Sequence, residues 1–494
     1  MRTTSRAVSG RRAALVSAVV SSLLLACGDS SPPTRRITGS RTVTYWMDSG
    51  KSPPIPSPDT QTPARIGARS LDGSINVSTA FDASGNFTLE GAPAGACLLD
   101  FTTQGGVHHF YRTEAANIDL GGDVLGRSDV RFPTQPTQIT FDLSGLAQTD
   151  PQDVVEITSS NASVWERLAP QGTLGAGLTA ASVSFDWKAR PTPLVSKQTG
   201  DVVYVHQIST RVDPGSGLAY QVAATSAQVP DLTVADGATL DVPLVLAPVA
   251  STGRLNVRWR PTQFEAALAD WPVNTQVLGH SLFVEGISGP LDLGPGPRSG
   301  NPDLVQILAP PGTADATLDL AYGQFLPAMW TERLQTYVTV RLYFPFLNGR
   351  IYYSVRMSMQ AAMSALPSEL VPTIRPPRSV QIGGADTFQV RTGVGTGPLV
   401  SWTPPTTGTA DYYIVDIERL QISGTSVTFA QAATLRTTEA QAQFPAATLA
   451  GGNQYVAFIT AFREPTGHYA TAPAPNRRHF PQDIAQTATA PFSP

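Results

Sequence analysis

A serine, two neighbouring histidines and an acidic turn are the groups whose spacing could support chemistry. Ser281 lies in Gly279-His-Ser-Leu-Phe283, one residue short of the G-x-S-x-G pattern that presents a nucleophilic serine between a strand and a helix. The final glycine is missing, and the glycines and proline of 284–290 would break a following helix. The segment is therefore predicted to be an ordinary strand, and Ser281 is not assigned as a nucleophile.

The candidate metal ligands do not converge. His108 and His109 are adjacent, and adjacent residues on a strand point to opposite faces, so both imidazoles cannot bind one ion. The segment 82–86 begins like a calcium loop, but Phe87 and Pro93 stand where an EF-hand needs glycine and glutamate. It is predicted to be a turn. We assign no metal site and no cofactor.

Carboxylates that could serve a hydrolytic site occur in the central part of the chain, for example Asp150, Asp153 and Glu156. Their spacing alone does not pair them as acid and base. A hydrolase with its active site in 131–371 therefore stays open as the alternative to a non-catalytic protein. A large pocket with two inward carboxyls of raised pKa would favour the enzyme. No catalytic residue is assigned.

One segment near the end of the chain, 464–482, has a composition suited to ligand binding. Loops carried by a rigid sandwich are where binding residues gather, and the alternative is a disordered, proline-rich insertion. The candidate ligand-binding residues are His468, Tyr469, Arg477, Arg478 and His479.

The first 26 residues have the organisation of a secretory signal peptide. Four arginines and no acidic residue occupy 1–12, and 13–26 is apolar apart from three serines. This run is shorter than the ~20 residues that cross a bilayer. Leu24-Leu25-Ala26-Cys27 resembles the lipobox of bacterial lipoproteins. The resemblance implies cleavage before Cys27 and attachment of diacylglycerol to its thiol.

Cys27 is therefore the predicted lipidation site, through which the chain would contact the membrane. Gly28 stands where aspartate would mark retention in the inner membrane, so the resemblance implies an outer-membrane lipoprotein, although Asp29 follows. The periplasmic and cell-surface faces are not distinguished. Residues 27–39 are predicted to form a flexible tether. With Cys27 lipidated, Cys97 is alone and no internal disulfide can form.

Composition and periodicity predict an all-β protein of tandem β-sandwich domains. Hydrophobic residues make up 41% and charged residues 15% of the chain, against a usual charged fraction of ~25%. The net charge of −4 and the lack of a basic stripe argue against nucleic acid as a partner. Apolar residues alternate with polar ones, as in half-buried strands. At most one or two short helices are expected, the best at 263–270 after Pro261.

A hairpin is predicted over 336–359, folded back at an Asn-Gly turn at 348–349. Such a turn places Phe344 opposite Tyr353 and gives one wholly apolar face. On the other face it places Arg341 opposite Arg356, and like charges in that position are unfavourable unless solvated.

Two ends of the chain resemble known domain families. The order D-x-x-G-x-F-x-L-x-x-x-P-x-G from Asp82 resembles the carboxypeptidase regulatory-like β-sandwich, a transthyretin-like module, over 40–130. This family is non-catalytic. Cys97 is predicted to be a small core residue within it.

The segment around Trp402 and the run from Tyr412 resemble the first core strands of a fibronectin type III domain, over 372–494. Leu449 and Tyr455 have the spacing of that family's tyrosine corner, in which the phenol binds loop backbone.

The remaining segments, 131–250 and 251–371, are β-rich and of unrecognised family, and no sequence repeat relates the four parts. The sequence is thus interpreted as a lipid-anchored envelope lipoprotein, a non-catalytic binding, adhesion or structural module. An envelope protein or a polysaccharide is the expected partner.

Overall fold

The computed structural model describes residues 32–58, 64–103, 105–168, 174–190, 192–271, 274–289, 301–328, 330–346, 349–423, 426–465, 467, 469 and 481–494. Strands account for 56% and helix for 4% of the structure, which confirms the all-β class. The predicted short helix is present as α1 (Pro261–Glu265), which tightens into a 3₁₀ helix at Ala266–Asp270. No helix among the described residues is long and apolar enough to span a bilayer.

The first sandwich packs a three-stranded sheet on a four-stranded sheet. Its strands are β1 (Thr34–Ser40), β2 (Thr42–Met47), β3 (Gly50–Lys51), β4 (Ile55–Pro56), β5 (Arg65–Ser70), β6 (Asn76–Ala80), β7 (Asn86–Pro93), β8 (Cys97–Thr102), β9 (His108–Thr113), β10 (Asn117–Asp119) and β11 (Gly122–Leu125). In the smaller sheet, β1 lies between antiparallel β7 and parallel β10. The larger sheet has the order β6-β5-β8-β9, and β2, β3, β4 and β11 form a small separate sheet.

The start of this sandwich corrects the predicted tether. Residues 34–39 were expected to be flexible, but they belong to β1, the central strand of the smaller sheet. Ile37 is completely buried in the core with Phe87 and Leu89. This single buried apolar residue in a polar stretch is too weak a pattern to indicate a strand by itself.

As predicted, 82–86 is a turn, in which the Asp82 carboxylate accepts hydrogen bonds from the backbone N–H groups of Ser84 and Asn86.

Cys97 is buried as predicted, with no exposed surface, in the core of the first sandwich. Burial raises the pKa of its thiol, and the Arg35 guanidinium, 3.9 Å from Sγ, acts in the opposite direction. A buried thiol of raised pKa carries little of the reactive thiolate form at neutral pH.

The second and third sandwiches each pack a three-stranded sheet on a four-stranded sheet, as the first does. The second contains β12 (Gln138–Ser144), β13 (Val154–Ser159), β14 (Val164–Leu168), β15 (Ala180–Asp186), β16 (Val203–Val212), β17 (Ala219–Val229) and β18 (Thr239–Val245), followed by β19 (Ala247–Pro248). The third contains β20 (Gly253–Trp259), β21 (Thr275–Ile287), β22 (Asp303–Ala309), β23 (Ala316–Tyr322), β24 (Thr331–Phe346), β25 (Gly349–Ala362) and β26 (Glu369–Leu370). Their sheets have the orders β15-β12-β18 with β14-β13-β16-β17, and β23-β20-β26 with β22-β21-β24-β25.

Three consecutive sandwiches therefore share one topology. Counting only the seven strands of the two packed sheets, which in the first sandwich leaves out β2, β3, β4 and β11, the first strand lies between the fourth, which is antiparallel, and the seventh, which is parallel. The other sheet has the order third, second, fifth, sixth. The segments 131–250 and 251–371, whose family the sequence did not indicate, thus have the strand order of the first sandwich.

The fourth sandwich has a different order and the fibronectin type III-like fold. It contains β27 (Arg378–Ile382), β28 (Ala385–Asp386), β29 (Leu399–Thr403), β30 (Tyr412–Ser423), β31 (Ser426–Thr437), β32 (Gln441–Gln443), β33 (Tyr455–Arg463) and β34 (Gln482–Ala488). Its sheets are β28-β27-β29-β32 and β31-β30-β33-β34. The tyrosine corner is confirmed, because the Tyr455 hydroxyl accepts from Ala450 N at 3.0 Å and donates to Ala450 O at 3.1 Å.

The predicted hairpin is present as β24 and β25, but its predicted register is wrong by two residues. Phe344 pairs with Ile351, and Phe346 with Gly349, so Gly349 belongs to the strand. The predicted turn residue Asn348 lies outside the described residues. Because side chains alternate with a period of two, this shift leaves the apolar face intact. It also places Ser354, instead of Arg356, opposite Arg341.

Strand pairing also joins neighbouring sandwiches. β17 pairs with β22, β25 with β34, and β9 with β31 in parallel. These junctions connect the four-stranded sheets into one 17-stranded sheet that runs through the second, third, fourth and first sandwiches. Contacts such as the ion pair of Arg127 Nε with Asp201 Oδ1 at 3.0 Å join the first sandwich to the second. The four sandwiches thus form a closed circuit.

The hydrophobic core extends across the junctions between sandwiches. One hydrophobic cluster combines residues of the third and fourth sandwiches with Leu98 and Phe110 of the first. Polar side chains on the outer faces of the four-stranded sheets are buried where sandwiches meet. His206 has no exposed surface and lies 3.9 Å, centroid to centroid, from Phe325 of the third sandwich. Burial lowers its pKa to about 3, so it is neutral.

Candidate ligand-binding site

A cavity of 520 Å³ lies between the third and fourth sandwiches, and we call it the interdomain cleft. Its lining comes from the end of the 3₁₀ helix, the tip of β24 and the β27–β28 region. Ligand pockets typically have volumes of ~300–1,000 Å³ and favour domain boundaries. The size and position of the cleft are therefore those of a small-molecule site.

The tip of β24 forms one wall because β24 extends beyond its neighbour. β21 begins at Thr275, opposite Leu342, and the backbone N–H of Tyr343 donates to Asn274 O at 2.9 Å. Past this point no described residue pairs with β24 on that flank, and Pro345 has no N–H to leave unsatisfied. The strand thereby presents Tyr343 and Phe344 to the cleft.

A β-bulge shapes the opposite wall. The register between β27 and β29 shifts between Arg378 and Gln381, and Ser379 has a φ of 47°. Bulges redirect side chains next to functional sites, and a non-glycine residue in the left-handed region costs roughly 1–3 kcal/mol. Ser379, which carries this conformational strain, is one of the residues that line the cleft.

The aromatic lining is held in place by packing. Phe344 and Phe388 are stacked with centroids 6.4 Å apart and an interplanar angle of 14°. The indole N–H of Trp271 donates to Gln486 O at 2.8 Å, which fixes its ring. Tyr343 donates its hydroxyl to Gln276 Oε1 at 2.7 Å. Fixed rings lose little conformational entropy when a ligand binds.

The charges at the cleft are mutually compensated. Asp270 Oδ2 lies 3.1 Å from Arg375 Nη1, and Asp270 Oδ1 lies 3.8 Å from Arg378 Nε. The hydroxyl of Thr406 also donates to Asp270, at 3.1 Å. Asp386 accepts the backbone N–H of Phe388 at 2.7 Å. The carboxylates are thus engaged in holding the walls, and the arrangement suits binding of a ligand better than acid–base chemistry.

The loop predicted to bind ligand contributes Tyr469 to the described structure. His468, Arg477, Arg478 and His479 lie outside the described residues. Tyr469 stacks on Tyr412 with centroids 4.6 Å apart, and burial raises its pKa. It lines a second cavity, of 330 Å³, at the boundary of the first and fourth sandwiches and away from the interdomain cleft.

The other residues considered for chemistry have structural roles. His280 lies 2.8 Å from the carboxylate of Glu265, and neighbouring Ser281 lies in β21, which continues to Ile287. His109 stacks on Phe101, whereas His108 stacks on Phe110, so the two imidazoles face opposite sides of β9 as predicted.

The carboxylates named for a hydrolase do not converge. Asp150 accepts the Gln152 backbone N–H in a turn. Asp153 accepts hydrogen bonds from Gln207 at 2.7 Å and Ser209 at 2.9 Å. Glu156 forms an ion pair with Arg167 at 2.9 Å.

Among the described residues of 131–371, two buried carboxyls do have a raised pKa, but they belong to an ion-pair network between the second and third sandwiches. Arg167 lies between Glu156 and Asp303, and its Nη2 is 3.0 Å from Asp303 Oδ2. Burial raises the pKa of both carboxyls, and for Asp303 the charges of Glu156 and Glu285 add to the effect. Neither carboxyl lines the interdomain cleft, so this pair does not favour the hydrolase.

Comparison with known proteins gives only distant similarities. No protein-family model and no curated protein match the chain. The FN1–FN3 domains of chicken CNTN1 align over 74% of this chain and 98% of their own, with 9% identity and a TM-score of 0.13. A tetra-tandem repeat from the extending region of a large adhesion protein aligns over 93% of this chain and 99% of its own, with 11% identity and a TM-score of 0.11. These scores carry no argument about function, and the fold follows from the strand order.

Proposed function

We propose that this chain is an exported, lipid-anchored envelope protein that binds its ligand in the interdomain cleft without transforming it chemically. The observation that carries the proposal is the cleft itself, a ligand-sized cavity with fixed aromatic walls and compensated charges. The partner of the protein would be an envelope protein or a polysaccharide, and the protein would be located in the outer membrane.

The modules support this assignment. The motif from Asp82 resembles the carboxypeptidase regulatory-like, transthyretin-like family, which is non-catalytic. We extend that family to the second and third sandwiches because they share the strand order of the first. The chain would then be three such modules followed by a fibronectin type III-like domain.

The proposed anchor would hold the first sandwich close to the bilayer. Cys27 lies outside the described residues, and β1 begins at Thr34. A fully extended chain covers at most ~3.3–3.6 Å per residue, so the lipid and the sandwich would be separated by roughly 25 Å or less. The tether that remains between Cys27 and the start of β1 is therefore much shorter than the predicted tether of residues 27–39.

Replacing Cys27 with serine should abolish anchoring. A protein without the thioether and its acyl chains has no lipid to hold it, since stable anchoring needs two or more chains. We expect the native protein in the detergent phase of a phase-separation assay, and Cys27→Ser in the aqueous phase or uncleaved. Cys97→Ala, which removes the buried thiol, is the control and should stay in the detergent phase. A Cys27→Ser protein that still enters detergent and lacks residues 1–26 would refute the anchor.

Filling the cleft should abolish binding to the envelope. The Cys27→Ser protein recovered from the aqueous phase is expected to sediment with an insoluble envelope fraction, and adding Gln381→Trp should prevent this because the indole occupies the cavity. The matched control is Gln421→Trp, at an exposed position near the end of β30 and outside the cleft lining. Binding that is equal in the two tryptophan variants would contradict the cleft as the ligand site.

A further inference from the structure

We propose that the ligand of the interdomain cleft is a neutral saccharide. This inference rests on the proposed function and narrows it, because it chooses a carbohydrate over an envelope protein. Three features of the lining carry it: the aromatic faces, the unpaired amide side chains and the cancelled charge.

The aromatic faces suit the apolar side of a sugar ring. Tyr343 and Phe388 are half-buried, so part of each ring remains accessible. The face of an aromatic ring carries a negative quadrupole and attracts polarised hydrogen atoms such as the C–H groups of a pyranose. Both rings are held by neighbours, Phe388 by Phe344 and Tyr343 through its hydroxyl bond to Gln276.

Three amide side chains at the cleft have no hydrogen-bond partner in the described part of the chain. Asn274, Gln381 and Gln389 are exposed residues of the lining, and none of their side-chain amides forms a hydrogen bond with another described residue. An amide offers two donors and an acceptor, and each sugar hydroxyl likewise donates and accepts. Amides can therefore match a ring of hydroxyl groups whatever the direction of each bond.

The charge of the lining argues against an ionic ligand. Arg375 and Arg378 lie beside Asp270, and together with the Asp386 carboxylate the formal charges of these groups sum to zero. An anionic or cationic ligand would lose its hydration without finding a net counter-charge in the cleft. A neutral polar ligand does not meet that cost.

The backbone around the cleft argues against an extended peptide. Peptides that bind sheets add a strand to a free edge through main-chain hydrogen bonds. β27 is already paired with β28 on one side and β29 on the other. The part of β24 beyond Leu342, which no described residue of β21 pairs with, includes Pro345, which has no N–H to donate.

The test begins with the purified Cys27→Ser protein on arrays of neutral oligosaccharides, uronate-containing or sulfated oligosaccharides, and peptides. The neutral oligosaccharide with the strongest signal is then titrated calorimetrically into this protein and its variants. We expect Gln381→Ala with Gln389→Ala to weaken binding at least about tenfold with an unchanged thermal midpoint, since both side chains are exposed. Gln421→Ala is the control and should bind normally.

The outcomes separate the inference from the proposed function. If the array selects an anionic saccharide or a peptide whose binding depends on Gln381 and Gln389, the neutral-saccharide inference is overturned and the binding function stands. If nothing on the arrays binds in a manner that depends on these residues, both fall. A neutral oligosaccharide that binds the double variant and the Gln421→Ala control equally also overturns the inference.

Discussion

Replacing Arg167 with alanine is expected to lower the free energy of unfolding by about 3–5 kcal/mol at neutral pH, since it leaves buried charges without a partner. Arg167 contacts Glu156 and Asp303, and its Nη1 also donates to Gln221 Oε1 at 3.0 Å. The Glu156 side chain is completely buried. Without the guanidinium, both carboxyls must be protonated or remain charged in an apolar boundary.

The cost of this substitution should shrink as the pH falls. Burial already raises the folded-state pKa of Glu156 and Asp303 above the unfolded values of ~4. The folded state then binds more protons than the unfolded state, so stability decreases as the pH rises from about 4 through the raised pKa values. Loss of Arg167 raises these pKa values further, which extends the decrease to higher pH and makes it larger in the variant.

The measurement is urea unfolding of native protein and variant at several pH values, followed for the transition that includes the second and third sandwiches. Arg190→Ala is the control, because Arg190 is half exposed and lies 3.4 Å from Glu166. Exposed pairs contribute ~0–1 kcal/mol. Equal costs for the two substitutions, or a cost of Arg167→Ala that grows on acidification, would show that the network does not stabilise the boundary.

Replacing Trp402 with alanine should cost about 3–5 kcal/mol, because it empties a large core site. Trp402 is 6% exposed and packs edge-to-face on Tyr413, with centroids 5.0 Å apart. In comparison, Tyr455→Phe removes only the hydroxyl that bonds to Ala450, a loss of ~0.5–1.5 kcal/mol. Both residues lie in the fourth sandwich, and they separate the contribution of packing from that of a hydrogen bond.

Calorimetry of the whole protein would measure both variants. The third and fourth sandwiches share one hydrophobic core, so we expect them to unfold together. For a unit of this size each kcal/mol shifts the midpoint by roughly 2–4 °C, which predicts a drop on the order of 10 °C for Trp402→Ala and a few degrees for Tyr455→Phe. A Trp402→Ala midpoint within the range of Tyr455→Phe would contradict the assigned core role.

Local patterns predicted strands and the pairing of β24 with β25, but not the pairing of strands that are distant in sequence. The alternation of β24 and β25 fixed which side chains are buried, while the register was wrong because a shift of two residues keeps every side chain on its face. The common topology of three sandwiches was not predictable, since it depends on pairing between distant strands rather than on a repeated motif. Glu156 and His206 resemble exposed residues of half-buried strands, and only the neighbouring sandwich buries them.

The interdomain cleft was missed for a related reason. Its walls come from segments near Asp270, Tyr343 and Gln381, which have no common motif. Pro345 at a strand end and the bulge before Gln381 are local signals, but neither indicates a cavity until the two sandwiches are placed side by side. The tyrosine corner was predictable because both of its partners lie within six residues of sequence.

The closed circuit of sandwiches has a consequence for the order in which the chain matures. β9 is synthesised early, yet the strand that covers its outer edge, β31, lies more than 300 residues later in the sequence. Until that strand arrives, the first sandwich has an open edge of the kind on which unrelated chains aggregate. The last strand, β34, likewise covers β25. A premature stop before β31 would therefore leave aggregation-prone edges on two otherwise complete sandwiches, and loss of β34 alone would expose the edge of β25.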